Sequence, residues 1–291
     1  MMEMLEFFPA KCRRKIALLK SSIRIAAISR VCFGAITALT YFLKKRKPKT
    51  PFFILCAHRT GSHHFIDYIN SSPGASFGYE IFGPYQPYGL GRWKVSKKTA
   101  FRHVRHFLNW CRQPVCGVKI FFSHLQRMRI SLDDLLKEFP EARWVVLYRK
   151  DILAQYLSYE IASQSHQWFR LKTSEPPQSL SIVFDPEKAL IYRDRVKSWY
   201  RGAMNSKDLC DRAIWLSYEE LVRDPQKLFD DKVFPFLKLP SSPVQTCFIK
   251  QNGGPVSEKI ANYTEVKDFI QNTDFTQNYD AVKKVTVFRT F

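Results

Sequence analysis

The sequence lacks several patterns that would assign it to a common functional class. Its cysteines form no C-x-x-C pair and no metal-ligand cluster, and they stand at positions 12, 32, 56, 111, 116, 210 and 247. Internal repeats, low-complexity tracts and helix-turn-helix, zinc-finger or RNA-binding signatures are also missing. These absences argue against nucleic-acid binding and favour free or buried thiols, with a disulfide between Cys111 and Cys116 left open.

Acidic residues are scarce relative to basic ones. The chain of 291 residues contains 46 Lys and Arg but 26 Asp and Glu, which gives a net charge of +20. Residues 1–50 hold twelve of the basic residues and two of the acidic ones, so half of the excess lies there. A positive field recruits multiply anionic ligands, and a basic protein that binds polyanions without catalysis is therefore one alternative.

A long uninterrupted hydrophobic run is missing as well. Residues 16–43 are apolar but are broken by basic residues such as Arg30, and the clean part, Val31–Leu43, is shorter than the roughly 20 residues of a membrane span. We expect residues 1–50 to associate with a membrane, as a single-pass signal-anchor or as an interfacial helix. A helix packed on the folded domain, which would occupy residues 51–291, is the alternative.

The first functional motif is a strand, a turn and a helix. The apolar run 52–56 leads into the turn Ala57-His58-Arg59-Thr60-Gly61-Ser62-His63. Arg59 adds a full positive charge, Gly61 lets the backbone approach a ligand, and hydroxyls and helical N–H groups donate hydrogen bonds. The turn predicts a phosphate site, although a turn without a ligand also fits. The Lys of G-x-x-x-x-G-K-[ST] is absent, so a nucleotide-dependent kinase is the less favoured enzyme.

A second strand, turn and helix lies in residues 143–158. The apolar run 143–148 is followed by Arg149-Lys150-Asp151 and then by apolar residues at helical spacing up to Ser158. Ser158 lies roughly 12 Å along the helix from Lys150 and on nearly the same face. Because ligands of parallel sheets bind where strands end, the two turns can contact one long ligand from two sides. A solvated helix start is the alternative.

Together the two segments resemble the sulfotransferases that use 3′-phosphoadenosine 5′-phosphosulfate (PAPS), in particular bacterial carbohydrate sulfotransferases of the trehalose and nodulation-factor type. In that family an R-T-G-[ST] turn holds the 5′-phosphosulfate, and a basic-Asp turn with a downstream Ser holds the 3′-phosphate. Weaker similarities at 117–120, 216–225 and 250–255 extend the resemblance to about residues 51–265. It implies a sulfotransferase domain at 51–291, PAPS as donor and no metal.

The resemblance assigns donor binding to residues of these motifs, namely Arg59, Thr60, Gly61, Ser62, His63, Arg149, Lys150, Ser158 and Lys250. One position departs from the family pattern, which places Arg immediately before the Asp. Here Lys150 stands at that position and Arg149 precedes it. Because Arg offers a bidentate fork and Lys a point charge, the choice between them for the 3′-phosphate stays open.

Sulfuryl transfer needs a base for the acceptor hydroxyl and cations for the transferred group. Glu80 follows the first helix, where the similar bacterial enzymes carry their catalytic Glu, so the resemblance implies that Glu80 is the base. His63 and His64 are the competing bases. Arg59 and Lys119 would neutralise developing charge. The expected acceptor is a carbohydrate or glycolipid, in the bacterial cytoplasm or the Golgi lumen, with a small alcohol or tyrosine as alternatives.

Strands and helices alternate along residues 51–291. We predict strands near 52–57, 115–120, 143–148 and 212–217, and helices near 62–71, 97–111, 131–138, 150–164, 187–203 and 218–230. This order predicts an α/β fold with a P-loop-like parallel sheet flanked by helices. Residues 72–96, rich in Gly, Pro and aromatics, are predicted to be an irregular loop that binds the acceptor. A second loop, 165–186, carries His166 and Trp168 and would close over the site.

Overall fold

The structure is a computed structural model that describes residues 50–83, 90, 95–111, 113–172, 180–249 and 254–279. The predicted membrane-associated localisation has to be corrected. In these described ranges no helix combines the length and apolarity that crossing a membrane requires. The longest, Pro186–Met204, carries charged residues along its length. The predicted apolar helix within residues 16–43 lies outside the described residues.

A five-stranded parallel sheet forms the centre of the protein. Its strands, in chain order, are β1 (Thr50–Cys56), β2 (Ala75–Glu80), β3 (Val115–Phe121), β4 (Arg143–Tyr148) and β5 (Ala213–Ser217). They lie side by side in the order β2-β3-β1-β4-β5, and every pair is parallel. The central three strands are almost wholly buried because their sequences are nearly continuous apolar runs, as expected when both faces of a sheet are covered.

Helices cover both faces, which confirms the predicted α/β class. Those before β5 are α1 (Ser62–Asn70), α2 (Lys97–Trp110), α3 (Phe122–Met128), α4 (Leu132–Glu138), α5 (Ile152–Ser165), α6 (Pro186–Met204) and the short α7 (Lys207–Cys210). Helix α1 buries Phe65, Ile66 and Ile69 against one face of the sheet. Helices α2, α5 and α6 contribute to the apolar cluster on the other face.

Four predicted strands are confirmed, but β2 was predicted to be irregular loop. Its sequence, Ala-Ser-Phe-Gly-Tyr-Glu, contains Gly78, one of the glycines for which residues 72–96 are predicted to be a loop. The structure gives this glycine a packing role instead. A Cβ atom at Gly78 would lie 2.2 Å from Cζ of Phe107, so the phenyl ring of α2 occupies the space that a side chain would need.

The chain after β5 departs from the predicted single helix at 218–230. It comprises α8 (Tyr218–Arg223), α9 (Pro225–Leu228), a π-helical turn (Phe229–Val233), α10 (Phe234–Leu237), a 3₁₀ turn (Val256–Lys259) and α11 (Tyr263–Asn272). The break falls at Asp224, whose φ of −152° is not helical and whose side chain caps α9. Pro225 then starts the next helix, because proline suits a first helical turn.

Two features of the sheet position the site. Strand β1 lies between β3 and β4, and the chain reaches these neighbours by connections on opposite sides. The carboxyl end of β1 is therefore the switch point at which α/β sheets bind ligands. The second feature is an irregularity in β2 between Gly78 and Glu80, which brings Glu80 rather than its predecessor opposite Lys119 of β3.

Candidate active site

The turn between β1 and α1 has the backbone shape of an anion-binding loop. Arg59 and Gly61 adopt left-handed conformations, with φ of 64° and 75°, and no side chain caps α1 at Gly61. The Thr60 hydroxyl donates to the carbonyl of Ala57 at 3.0 Å, which holds the turn closed. A Cβ at position 61 would lie 2.6 Å from Cδ2 of Tyr218, so glycine is required here by both φ and space.

Arg59 joins the two predicted motifs. Its Nε donates to Oγ of Ser158 on α5 at 2.9 Å, and its NH1 donates to the carbonyl of Trp168. Burial, together with the positive charge of Arg149, lowers the pKa of Arg59 to about 10. The guanidinium therefore remains charged at neutral pH. The structure thus brings Arg59, Arg149 and Ser158 into one region, as the sequence predicted.

The turn after β4 presents a side chain rather than backbone amides. The guanidinium of Arg149 lies over the ring of Tyr218, with 4.6 Å between Cζ and the ring centroid. Its Nε is buried and has no hydrogen-bond partner within the described ranges. The amide of Lys150 donates to both carboxylate oxygens of Glu219, at 3.0 and 3.1 Å, so this backbone position is already satisfied by the protein.

Two buried side chains that the sequence did not single out lock the turns together. The side-chain nitrogen Nε2 of Gln155 on α5 donates to the backbone carbonyl of His58 at 2.6 Å. The hydroxyl of Tyr200 on α6 accepts from the amide of Ala57 at 3.0 Å and donates to the carbonyl of Leu147 at 2.5 Å. The ends of β1 and β4 are therefore held at a fixed separation before any ligand arrives.

Glu80 and Lys119 form an ion pair beside the first turn. Lys119 Nζ lies 3.1 Å from Oε1 of Glu80 and 3.5 Å from Oγ of Ser62, the first residue of α1. The Lys119 side chain is fully buried and also lies 4.6 Å from the ring centroid of Phe121. Glu80 is 19% exposed. The predicted base thus lies on the solvent side of a cation that reaches the anion-binding turn.

Two further histidines line this region, and neither was predicted. His124 Nε2 lies 4.0 Å from Oε2 of Glu80, and His58 Nε2 is 3.0 Å from the Ser123 hydroxyl. Burial lowers the pKa of His124 to about 2, and burial also lowers that of His58 to about 4. Both rings are therefore neutral at neutral pH. The motif Phe-Ser-His after β3 was the available sequence signal.

His63 and His64 lie in the first turn of α1, as predicted. Burial, followed by the charges of Lys119 and Arg59, lowers the pKa of His63 well below its usual range. Burial also lowers the pKa of His64. The His63 ring packs against Phe169 and Phe248, with centroids 5.6 and 5.8 Å apart. Both imidazoles are neutral, apolar-packed groups in this structure.

The predicted loop 165–186 pairs with a segment that precedes Lys250. The amide of Lys172 donates to the carbonyl of Cys247 at 2.8 Å, and the amide of Ile249 donates to the carbonyl of Arg170 at 3.0 Å. Lys250 itself lies outside the described residues, as do residues 84–89 and 91–94 of the predicted acceptor loop.

Comparisons with known proteins give similar proteins at low sequence identity. No family model matches the sequence. Nodulation protein H from Rhizobium meliloti is 23% identical over 244 residues, which cover 80% of this chain and 96% of that protein. A sulfotransferase from Alicyclobacillus acidocaldarius has a TM-score of 0.45 at 15% identity, covering 77% of this chain and 92% of that one. Sulfotransferase STF1 from Mycobacterium tuberculosis H37Rv has a TM-score of 0.48 at 13% identity, covering 75% of each chain.

A parallel α/β sheet with cationic turns at the carboxyl ends of β1 and β4 suits the binding of a phosphorylated or sulfated ligand. The chain also matches nearly the full length of Nodulation protein H, at 23% identity. This similarity supports a sulfotransferase enzyme of the bacterial nodulation type. A kinase and a non-catalytic polyanion-binding protein are accordingly not favoured.

Proposed function

We propose that the protein transfers a sulfuryl group from PAPS to a hydroxyl of a carbohydrate or glycolipid. The observation that carries this proposal is the convergence of both motifs at Arg59. One guanidinium contacts Ser158 of the second motif at 2.9 Å while its own backbone forms the left-handed turn of the first. A donor with phosphate groups at both ends matches two cationic turns at a fixed separation.

Arg149, rather than Lys150, is our choice for the 3′-phosphate. The buried Nε of Arg149 lacks a partner, and buried polar groups without partners are rare in folded proteins. Its charge acts on Arg59, so the guanidinium faces the same region. The backbone at Lys150 is bound to Glu219. An anion that accepts from Arg149 and Ser158 would satisfy the unpaired nitrogen, which supports the fit of a 3′-phosphate.

PAPS supplies the activated sulfuryl group when it is bound, and the residues of the chain provide the remaining chemistry. Glu80 accepts the proton of the acceptor hydroxyl, and Lys119 orients the carboxylate through their 3.1 Å contact. Arg59 and Lys119 stabilise negative charge as the bond to the leaving nucleotide breaks, with hydrogen bonds from Thr60 and Ser62. This arrangement fits in-line displacement.

The histidines support this choice of base by exclusion. The rings of His63 and His64 both pack against Phe248, with centroids 5.8 and 6.1 Å apart. His63, His64, His58 and His124 all have lowered pKa values, and burial is the main cause for each. We therefore assign His63 and His64 a packing and hydrogen-bonding role and Glu80 the role of general base.

Calorimetry with the full chain tests the donor site. We expect the spent nucleotide adenosine 3′,5′-bisphosphate (PAP) to bind far more tightly than adenosine 5′-monophosphate, because it carries both phosphates. Arg59→Ala should weaken PAP binding roughly tenfold or more, since charge-assisted hydrogen bonds contribute about 1.5–3 kcal/mol. Arg102→Ala, at an exposed arginine of α2, is the matched control and should leave the affinity unchanged. Equal affinity for the two nucleotides would refute the assignment.

A further inference from the structure

We propose that Trp168 is the stacking platform for the sugar ring of the acceptor, an inference that rests on the proposed function. Trp168 is 37% exposed, whereas most aromatic side chains with a described burial are buried or half-buried. Trp is highly buried on average, and an indole presented to solvent at a ligand site offers an apolar ring face with a polar N–H.

The backbone of Trp168 is hydrogen-bonded to the turn at residues 57–63, the proposed donor site. Its carbonyl accepts a hydrogen bond from the guanidinium of Arg59. His166, in a left-handed conformation with φ of 56°, ends α5 and turns the chain towards this contact. The following residues pair with the 247–249 segment through the isolated bridge between Leu171 and Phe248. The indole is thus held in place by main-chain contacts on both sides, which pre-organises it for binding.

Two ring contacts support the indole within the part of the chain that the structure describes. It packs against Tyr159, with ring centroids 5.8 Å apart, and against His58, at 6.3 Å. Tyr159 is adjacent to Ser158 on α5, so the support comes from the same helix that contacts Arg59. The exposed part of the residue is the surface that we assign to the ligand.

The position of His58 relates the indole to the reacting groups. The pKa of His58 responds to the charges of Glu80, Lys119 and Arg59, and its ring lies 6.3 Å from that of His124, which faces Glu80. The His58 ring therefore lies near both Glu80, the proposed base, and Arg59. We infer that an acceptor whose hydroxyl lies between Glu80 and the turn at residues 57–63 extends over His58 towards Trp168.

The chemistry of this surface selects a ring with an apolar face and polar edges. A pyranose presents C–H groups on its face, which pack on an indole, and hydroxyls at its rim for solvent and polar side chains. A small acyclic alcohol would reach Glu80 without covering Trp168. The platform would accordingly determine which hydroxyl compounds bind well, while Glu80 and Arg59 act on any of them.

Steady-state kinetics of the full chain separate these contributions. With trehalose and chitotetraose as saccharide probes, Trp168→Ala should raise the acceptor KM about tenfold with little change in kcat, because stacking acts on ground state and transition state alike. Trp168→Phe should restore most of the affinity. With glycerol, an acyclic probe, KM should stay unchanged. The matched control is Met204→Ala, which truncates a side chain of similar exposure, 38%, at the end of α6.

A purely structural role predicts a different pattern. Both substitutions keep the carbonyl that Arg59 contacts, so PAP affinity should change less than about twofold. Loss of PAP affinity in parallel with acceptor affinity, or an equal rise in KM for glycerol and for the saccharides, would overturn the proposal. Unchanged saccharide KM in Trp168→Ala would overturn it as well.

Direct binding provides a second readout that needs no turnover. In protein labelled with 5-fluorotryptophan, the ¹⁹F resonance absent from Trp168→Phe belongs to Trp168, and it should shift when trehalose or chitotetraose is titrated in the presence of PAP. If neither saccharide shifts this resonance, the proposal is wrong. If the wild-type chain binds PAP but its Trp168 resonance does not shift, only the proposal for Trp168 is refuted. If the chain does not prefer PAP to adenosine monophosphate, the proposed donor is refuted.

Discussion

Glu80→Gln separates proton transfer from donor binding. Turnover should fall by about 10²–10⁴, the usual contribution of a general base. The amide keeps the shape of the carboxylate: its oxygen can accept from Lys119, and its nitrogen can point towards Nε2 of the neutral His124, which lies 4.0 Å from Oε2 in the present structure. Because the base acts on the acceptor and not on the nucleotide, PAP affinity should change little.

The same substitution has a calculable effect on stability. At the observed separation of 3.1 Å and an effective dielectric constant of about 20, Coulomb attraction between Glu80 and Lys119 is about 5 kcal/mol. Glu80 is partly exposed, so solvent screening reduces this figure, and we expect Glu80→Gln to lower the free energy of unfolding by about 2–4 kcal/mol. Lys119, fully buried, would be left without its counter-charge.

A double variant keeps the two effects apart. Replacing both partners, in Glu80→Gln with Lys119→Met, removes the isolated buried charge and should recover most of the lost stability, while turnover stays low. Urea unfolding, single-turnover kinetics and calorimetry with PAP measure the three quantities. If Glu80→Gln keeps more than about a tenth of wild-type turnover while His63→Asn or His64→Asn loses it, a histidine is the base and the assignment of Glu80 is wrong.

Two further predictions concern stability. The pKa of His58 is lowered to about 4 and that of His124 to about 2, so below about pH 6.5 the unfolded chain binds protons that the folded chain does not. The free energy of unfolding should therefore fall by about 1.4 kcal/mol per pH unit and per residue as the pH is lowered to 4. A flat profile in urea unfolding over that range would contradict this prediction. Gly61→Ala should lower the free energy of unfolding by at least about 1–2 kcal/mol, because of the positive φ of Gly61 and the contact with Tyr218. Gly202→Ala is the control and should be neutral or stabilising, because open space surrounds this helical glycine. Equal unfolding midpoints for the two variants would refute the packing argument.

The elements that the sequence predicted are those encoded by local pattern. The strand at 143–148 is a continuous apolar run, and the helix that reaches Ser158 has apolar residues at helical spacing. The short edge strand at 75–80 escaped prediction because Gly78 is there to admit the ring of Phe107, a contact that no local pattern encodes. Spatial strand order depends on such long-range packing and was likewise beyond the sequence.

The same division holds within the site. The prediction that Arg59 and Ser158 share one ligand followed from two turn motifs at strand ends, and the structure brings these side chains into contact. Gln155 and Tyr200, which connect the turns, lie within helices at positions that read as ordinary interior residues. Their function depends on which backbone carbonyl or amide they meet, and the fold alone determines that. The roles of all these residues in catalysis stay predictions.

The irregularity in β2 has a consequence for how the active site could arise or be lost. Side chains alternate between the faces of a strand, and in a regular ladder the residue before Glu80 would lie beside Lys119, with Glu80 on the opposite face. One additional residue in β2 moves the carboxylate to the face of the cation. Such a change has no intermediate, because a strand lengthens only by whole residues. A chain could therefore keep every residue of this site and still lack the Glu80–Lys119 pair, if residues 78–80 paired with β3 in a regular register.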